Sequence, residues 1–198
     1  FSASEAGVSD YEVWKTDGSA ANTVRVMDRS VGTAGTEPRG FAAVGDAAYF
    51  AAHDGVSGVE LWKADATSTV QVKNLRRTQP DAFHVNESEN DYGGLSSAYE
   101  IASIGSAVYF SGSDGVSGFE LFKSDGSEAG TTLVRDGNGL PYIAGGSNPS
   151  RPFDVGGVFL FSGFGNDTGI ELWKSDGTEA GTALVKDIRP GLNSSGNM

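Results

Sequence analysis

The fold of this 198-residue chain is decided by the stretch Glu171-Leu172-Trp173-Lys174-Ser175-Asp176-Gly177. The same phrase occurs three times earlier, as Glu12-Val13-Trp14-Lys15-Thr16-Asp17-Gly18, Glu60-Leu61-Trp62-Lys63-Ala64-Asp65 and Glu120-Leu121-Phe122-Lys123-Ser124-Asp125-Gly126. Its aromatic residue recurs about every 50 residues, a spacing typical of stacked or radial repeat architectures. We therefore expect the repeated residues to build the scaffold, and the residues that differ between repeats to carry specificity.

Each repeat contains short apolar runs that are separated by clusters of Gly, Asp and Asn. The complete repeats have four runs each: 41–44, 47–52, 59–64 and 69–75; 100–104, 107–112, 119–124 and 131–135; 151–155, 158–162, 170–174 and 182–188. Four short strands joined by tight turns predict an antiparallel meander with the size of one propeller blade. No helical period of useful length is present.

We therefore predict an all-β fold, a β-propeller of four-stranded antiparallel blades of about 50 residues each. The approximate blades are 1–35, 36–78, 96–140 and 147–191, with an insertion loop at 76–95. Phe1 aligns with Phe50 and Phe110 in a second strand, so the first blade is expected to be incomplete. The chain is then part of a larger propeller; closure of four blades with one strand missing is the alternative.

The composition limits the classes of function. The net charge is −12, which repels phosphate backbones and argues against nucleic-acid binding. A well-solvated surface or divalent cation binding are the two explanations for the acidity. No apolar run approaches the length of about 20 residues that spans a bilayer, so no transmembrane segment is expected. The absence of cysteine excludes disulfides and thiolate metal sites, and it favours a bacterial origin.

The repeated side chains are interpreted as structural. The aromatics are expected to fill the space between blades, with carbohydrate stacking as the alternative. The glutamates, if buried, need hydrogen-bond partners, and four equivalent carboxylates offer no acid–base asymmetry for catalysis. The aspartates begin Asp-Gly turns, whose carboxylates accept turn amides. This structural motif comprises Glu12, Trp14, Asp17, Glu60, Trp62, Asp65, Glu120, Phe122, Asp125, Glu171, Trp173 and Asp176.

The stretch 171–182, which continues through Thr178-Glu179-Ala180-Gly181-Thr182, strongly resembles the ELWxxDGT repeat of large secreted or surface-exposed bacterial proteins. The resemblance covers the whole chain and is loosest in the second repeat, where Ala66 replaces the turn glycine. It implies a propeller-like fold and an extracellular or cell-surface location, with the periplasm as a further possibility. It brings no catalytic residues.

Departures from the repeat are candidates for binding. The insertion loop carries Arg76, Arg77, His84, Glu87, Glu89, Asp91 and Tyr92, and it is interpreted equally as a binding loop or a disordered excursion. Two similar turns, at 53–58 and 113–118, place Asp54 near Glu60 and Asp114 near Glu120 in sequence. These pairs are candidate Ca²⁺ ligands, although their spacing is unlike that of known calcium loops. No other cofactor is expected.

The sequence therefore predicts a non-enzymatic extracellular propeller that serves as a binding, adhesion or assembly module, with a protein or a glycan as its partner. Structural subunit and carbohydrate-binding lectin are both open within this prediction. His53 and His84 are the only histidines, and neither belongs to a recognisable catalytic constellation. The alternative is a carbohydrate-active enzyme, a glycosidase or lyase, whose site is built from propeller loops.

Overall fold

A computed structural model describes residues 1–5, 10–27, 35–54, 57–75, 101–137, 146–192 and 194–195 of the chain. In these ranges every regular element is a β-strand. Each strand pairs with its neighbour in the sequence, always antiparallel. The prediction of an all-β meander is therefore confirmed, whereas closure into a propeller is taken up below as a proposal.

The strands form four separate sheets. Sheet 1 contains β1 (Ser2–Ala3), β2 (Glu12–Lys15) and β3 (Val24–Met27). Sheet 2 contains β4 (Arg39–Val44), β5 (Ala47–His53), β6 (Val59–Ala64) and β7 (Thr69–Lys73). Sheet 3 contains β8 (Ala102–Ile104), β9 (Ala107–Gly112), β10 (Glu120–Ser124) and β11 (Thr132–Arg135). Sheet 4 contains β12 (Ser150–Asp154), β13 (Phe159–Gly165), β14 (Gly169–Ser175) and β15 (Ala183–Lys186).

The register repeats from sheet to sheet. Trp62 pairs with Phe50, Phe122 with Phe110, and Trp173 with Phe161. In the pairing with the last strand of each sheet, the register shifts between the tryptophan or Phe122 and the residue before it. The same shift occurs before Trp14 in sheet 1. An extra residue of this kind increases the local twist of the pair, so the shared irregularity gives the four sheets a common shape.

Strand alternation divides each sheet into two different apolar faces. One face carries Phe and Trp, and the other carries Tyr, Leu and Val. The adjacent residues Leu61 and Trp62 illustrate this, because they belong to two different apolar clusters. The two kinds of face meet between neighbouring sheets. The three resulting cores are Val13, Met27, Phe50, Ala52 and Trp62; Tyr49, Leu61, Val72, Phe110 and Phe122; and Tyr109, Leu121, Val134, Phe159 and Trp173. The prediction that the repeated aromatics fill the space between sheets is confirmed for these three junctions.

The first strands of the complete sheets lie side by side. β8 contacts both β4 and β12, and β9 contacts the same two strands. Sheet 3 therefore lies between sheets 2 and 4, in the order of the sequence. No helix in the described ranges is long and apolar enough to cross a membrane.

Candidate functional site

The repeated Asp-Gly turns are held by their own aspartates. The Asp125 carboxylate accepts hydrogen bonds from the Ser127 N–H at 2.9 Å and from the Ser127 hydroxyl at 2.7 Å. Asp176 is bound in the same way by Thr178, and Asp17 by Ser19. The predicted amide hydrogen bonds within these hairpins are confirmed. They stabilise the ionised form, so the serine hydroxyl bond, followed by the serine N–H, lowers the pKa of Asp17 to about 2.

The preceding sheet contacts two of these turns. A Cβ atom at Gly126 would lie 2.2 Å from the Tyr49 hydroxyl, and one at Gly177 would lie 2.1 Å from the Tyr109 hydroxyl. Both glycines have positive φ angles, 90° and 85°. The turn therefore requires glycine twice over, for its backbone conformation and for the close approach of a tyrosine.

Cations from the preceding sheet complete this contact. Lys123 Nζ donates to the Gly177 carbonyl at 2.9 Å, and Lys73 Nζ donates to the Thr131 carbonyl at 2.8 Å. Arg135 donates to the Thr182 carbonyl in the position that corresponds to Lys73. Lys123 also lowers the pKa of Asp176, although the Thr178 hydroxyl bond is the larger cause. The turn is thus a junction between sheets and not an isolated hairpin.

The junction between sheets 1 and 2 departs from this pattern at both partners. The turn of sheet 2 has Ala66 in place of glycine, and Asp65 is bound by Thr67 and Ser68 of its own turn. Met27 occupies the strand position that Lys73 and Arg135 hold elsewhere, and it is buried against Phe50 and Trp62. Where the turn is degraded, the cation that would contact it is replaced by an apolar side chain.

The tryptophans are tied to their own sheets by the indole N–H. Trp14 donates to the Ala3 carbonyl, Trp62 to Ala52, and Trp173 to Gly163, at 3.0 to 3.1 Å. A buried indole donor with a partner avoids the free-energy cost of desolvation. These contacts make the aromatics part of the scaffold.

The repeated glutamates are fully buried, with at most 2% of each residue exposed. Glu12 accepts a hydrogen bond from the Thr36 hydroxyl at 2.6 Å. Glu120 accepts from the N–H of Gly137 at 3.0 Å, from the N–H of Ser147 at 2.9 Å and from the Ser147 hydroxyl. Glu60 accepts from the Leu75 N–H at 3.3 Å. Backbone donors and hydroxyls, not lysines, are the partners that these contacts reveal.

Thr36 and Ser147 belong to two equivalent link segments, residues 35–38 and 146–149, each of which leads into the next sheet. The link backbone bonds to the preceding sheet through Glu37 N–H to Tyr11 O, and through Asn148 N–H to Phe119 O, both at 2.9 Å. It bonds to the following sheet through the Thr36 and Ser147 carbonyls, which accept from His53 and Phe164. Each link segment therefore connects a buried glutamate to the next sheet.

The link segments have a demanding backbone. A Cβ at Gly35 would lie 2.3 Å from Tyr11 N, and one at Gly146 would lie 2.1 Å from Phe119 O. Glu37 and Asn148 have positive φ angles of 44° and 45°, although each precedes a proline. A non-glycine residue pays strain energy in this region, and only a well-determined surrounding structure maintains it.

The glutamates are not electrostatically equivalent, which corrects the sequence-based expectation. Burial raises the pKa of Glu120, and its three hydrogen bonds offset only part of that effect. The pKa of Glu171 is lowered, chiefly by the hydroxyl of Ser195. Both carboxyl groups have a serine hydroxyl and backbone N–H groups as donors, but desolvation is the largest effect on the pKa of Glu120 and only the second largest on that of Glu171. Shared strand position alone does not give shared acidity.

The remaining predicted site residues have separate outcomes. Arg76, Arg77, His84, Glu87, Glu89, Asp91 and Tyr92 lie outside the described residues. Asp54 accepts hydrogen bonds from the N–H and hydroxyl of Ser57, and Asp114 accepts from Val116 and Ser117 N–H. Within the described ranges, His, Asp and Glu do not form a group of three that could hold a metal ion. Calcium binding therefore stays a prediction.

Sequence reasoning missed the link segments and the tyrosine contacts. The two links read Gly35-Thr36-Glu37-Pro38 and Gly146-Ser147-Asn148-Pro149, so the repeated Gly and Pro were an available signal. Chemically, the described site is a set of buried carboxylates, each with at least one hydrogen-bond donor, and of charge-assisted turn contacts. Such an arrangement can hold sheets in register.

No family model matches this chain, and no curated protein matches it as a relative. Among solved structures, the chain is similar to one described as the crystal structure of puromycin hydrolase, with 16% sequence identity and a TM-score of 0.43. The match covers 92% of this chain but only 28% of that chain.

This similarity corrects one prediction. The sequence was interpreted as that of a protein without enzymatic activity, whereas the solved protein is a hydrolase. The comparison therefore contradicts the prediction that the chain is not an enzyme, and that prediction is withdrawn. The likeness is at the level of chain trace, and it transfers no substrate and no catalytic residue.

Proposed function

We propose that this chain forms consecutive blades of a β-propeller in a secreted or surface protein of a bacterium, and that it serves there as a binding, adhesion or assembly module. The observation that carries the proposal is the repetition of one junction. The same turn, tyrosine, cation and buried glutamate recur at the junction of sheets 2 and 3 and at that of sheets 3 and 4. A sheet whose inter-sheet contact residues repeat in this way is a unit that can stack on further units of the same kind.

The order of the sheets supports a radial arrangement. β8 lies between β4 and β12, so the first strands of successive sheets gather on one side, as they do around a propeller axis. Each face that packs aromatic side chains meets a face that packs Tyr, Leu and Val. This polarity allows the stack to continue in one direction.

The extracellular location rests on the ELWxxDGT resemblance and on composition. A net charge of −12 keeps the surface solvated and repels nucleic acid. A chain without cysteine gains no stability from an oxidising environment, and the buried hydrogen bonds at the junctions supply order instead.

The partner is proposed to be a protein of the same extracellular assembly or a cell-envelope glycan. The repeated residues are occupied by contacts between sheets, so recognition falls to surfaces outside the repeat.

The proposal is tested on intact cells of the bacterium that encodes the chain. Antibody against the purified chain should label unpermeabilised cells, and the purified chain should bind envelope polysaccharide or envelope protein in a pull-down. The same preparation is assayed for release of reducing sugar. Labelling only after permeabilisation, together with no envelope binding, would contradict the proposal; hydrolysis of the bound glycan would replace the binding role by an enzymatic one.

A further inference from the structure

One of the repeated glutamates, Glu171, has a carboxylate oxygen without a hydrogen-bond donor. Its Oε2 atom accepts from the Ile188 N–H at 3.4 Å, whereas its Oε1 atom is buried and has no partner among the described residues. Only 1% of Glu171 is exposed. A buried carboxylate is normally paired, hydrogen-bonded or coordinated to a metal, because desolvation of an uncompensated charge is costly. The Oε1 atom of Glu171 lacks such compensation.

A second oxygen of this kind belongs to Asp187, which directly follows β15. Its Oδ1 atom is also buried without a partner in the described part of the chain. The nitrogen of Ile188 follows Asp187 across one peptide bond, so the Cα atom of Asp187 lies within about 6 Å of Glu171 Oε2. Sheet 4 therefore brings two acidic side chains together, and each has one oxygen that no described donor satisfies.

Sheet 3 shows how protein groups alone can satisfy the equivalent carboxylate. Glu120 Oε1 accepts from the Ser147 N–H, and Glu120 Oε2 accepts from the Gly137 N–H and the Ser147 hydroxyl. Both donor segments have counterparts in sheet 4. Ile188 takes the place of Gly137, and the segment that corresponds to the link is bound to β14, because the Ser195 N–H donates to a β14 carbonyl at 3.1 Å. Glu171 Oε1 is unpaired although these segments are in place.

The same atom is unpaired in sheet 1, at a junction with a described link segment and a described sheet beyond it. Glu12 is 2% exposed, its Oε2 atom accepts from the Thr36 hydroxyl at 2.6 Å, and its Oε1 atom has no described partner. The residue that corresponds to Asp187 is Asp28, which lies outside the described residues. The inference is therefore made for sheet 4 alone.

We propose that Glu171 Oε1 and Asp187 Oδ1 bind a calcium ion, at a site separate from the turns at 53–58 and 113–118. Ca²⁺ takes six to eight oxygen ligands, so backbone carbonyls and water complete the set. Two carboxylates balance the charge of one divalent cation, which offsets the cost of burying them. Extracellular modules bind Ca²⁺ with dissociation constants of about 10⁻⁴–10⁻³ M, and the same range is expected here. The inference goes beyond the proposed binding role.

Calorimetric titration of the chelator-treated chain with calcium chloride tests the proposal. Glu171→Gln and Asp187→Asn should each raise the dissociation constant at least tenfold. Asp187→Asn is the milder variant, because sheet 2 has Asn74 at the same position, and it preserves the test if Glu171→Gln fails to fold. The matched control is Asp136→Asn, the same exchange beside the fully bonded Glu120, which should leave calcium affinity within twofold of the wild type.

Terbium luminescence locates the ion, since Tb³⁺ replaces Ca²⁺ at oxygen sites and is sensitised by a nearby indole. Trp173 lies on the same strand as Glu171. Trp173→Phe, which introduces the residue of sheet 3, should remove most of the sensitised emission and leave calcium affinity within twofold. The proposal is overturned by emission that this variant leaves unchanged, by calcium binding that Glu171→Gln and Asp187→Asn leave unchanged, or by no saturable binding up to about 10 mM. Envelope binding by a chain that binds no calcium would leave the proposed function standing.

Discussion

The hydroxyl of Tyr109 lies where Gly177 of the next sheet would carry a side chain, 2.1 Å from an ideal Cβ. The same relationship joins Tyr49 to Gly126, one sheet earlier. A turn that looks like a self-contained hairpin in the sequence is therefore fitted to the sheet before it. This contact explains why glycine is required beyond its positive φ angle.

We expect the variants Gly177→Ala and Tyr109→Phe to be energetically coupled. Alanine at 177 meets the tyrosine hydroxyl, so its destabilisation should fall by about 1 kcal/mol or more in the Tyr109→Phe background, which is the range of coupling between residues in contact. Urea unfolding of the four proteins in the cycle measures the coupling. Additive free energies would contradict the close approach.

Glu120→Gln should destabilise the chain most at acidic pH. In the variant, the glutamine NH₂ group faces an N–H donor of Gly137 or Ser147. That N–H then has no acceptor, which costs about 1–3 kcal/mol. The raised pKa of Glu120 means that the native state binds more protons than the unfolded state above the ordinary value of 4.5. Wild-type stability from this group is therefore full below that value and falls as pH rises through the native pKa.

The difference in unfolding free energy between wild type and Glu120→Gln should accordingly shrink between pH 4.5 and neutral pH. Urea titrations at several pH values measure it. Asp136, which adds to the raised pKa by charge repulsion, provides the control: Asp136→Asn should reduce the slope without removing it. A difference that grows with pH would show that the ionised carboxylate is the form favoured by folding.

Asp17 should titrate near pH 2 in a carbon-detected NMR experiment, well below its usual range. The cause is the hydroxyl and the N–H of Ser19, with a further bond from Asn22. Because the native pKa is lowered, the stabilisation is present above 3.8 and is lost as pH falls toward about 2. Ser19→Ala should move the titration back toward the ordinary value; an unchanged titration would separate Ser19 from the effect.

Glu37→Asn should raise the free energy of unfolding by about 0.5–1 kcal/mol, because asparagine adopts positive φ angles more easily than glutamate does. Its equivalent, Asn148, already donates its side-chain amide to the Gly146 carbonyl at 2.9 Å. The exposed Glu37–Arg39 ion pair is lost in the exchange, which costs little. The control is Arg39→Ala, which removes the ion pair and leaves the backbone at residue 37 unchanged. Destabilisation by Glu37→Asn in thermal unfolding would argue against strain at this position.

Local pattern was sufficient for the strands and insufficient for the junctions. The predicted run 59–64 coincides with β6, and 107–112 with β9, because alternation and turn residues act within a few positions. β12 begins at Ser150 and β4 at Arg39, before the predicted starts at 151 and 41, because each strand directly follows the proline of a link segment. The link-segment partners of Glu12 and Glu120 lie 24 and 27 residues away, and no local period encodes that separation.

The repeated phrase also misled in one respect. Because each glutamate has the same neighbours in sequence, we expected the four carboxyl groups to have similar environments. Instead, the pKa of Glu120 is raised and that of Glu171 is lowered. The donors are of the same kinds, Gly137 and Ser147 for Glu120 and Ile188 and Ser195 for Glu171, but desolvation outweighs them only at Glu120. The pKa of a buried carboxyl group depends on the residues that pack around it, and a local sequence pattern does not encode those residues.

The central claim is that the repeated turn is a junction between sheets, and one comparison tests it most directly. Gly126→Ala and Gly18→Ala introduce the same methyl group at φ angles of 90° and 94°, but only Gly126 faces a tyrosine hydroxyl. Urea unfolding of the dilute, monomeric chain should show Gly126→Ala to be the more destabilising by about 1–3 kcal/mol, the usual cost of overpacking. Equal losses of stability in the two variants would contradict the claim.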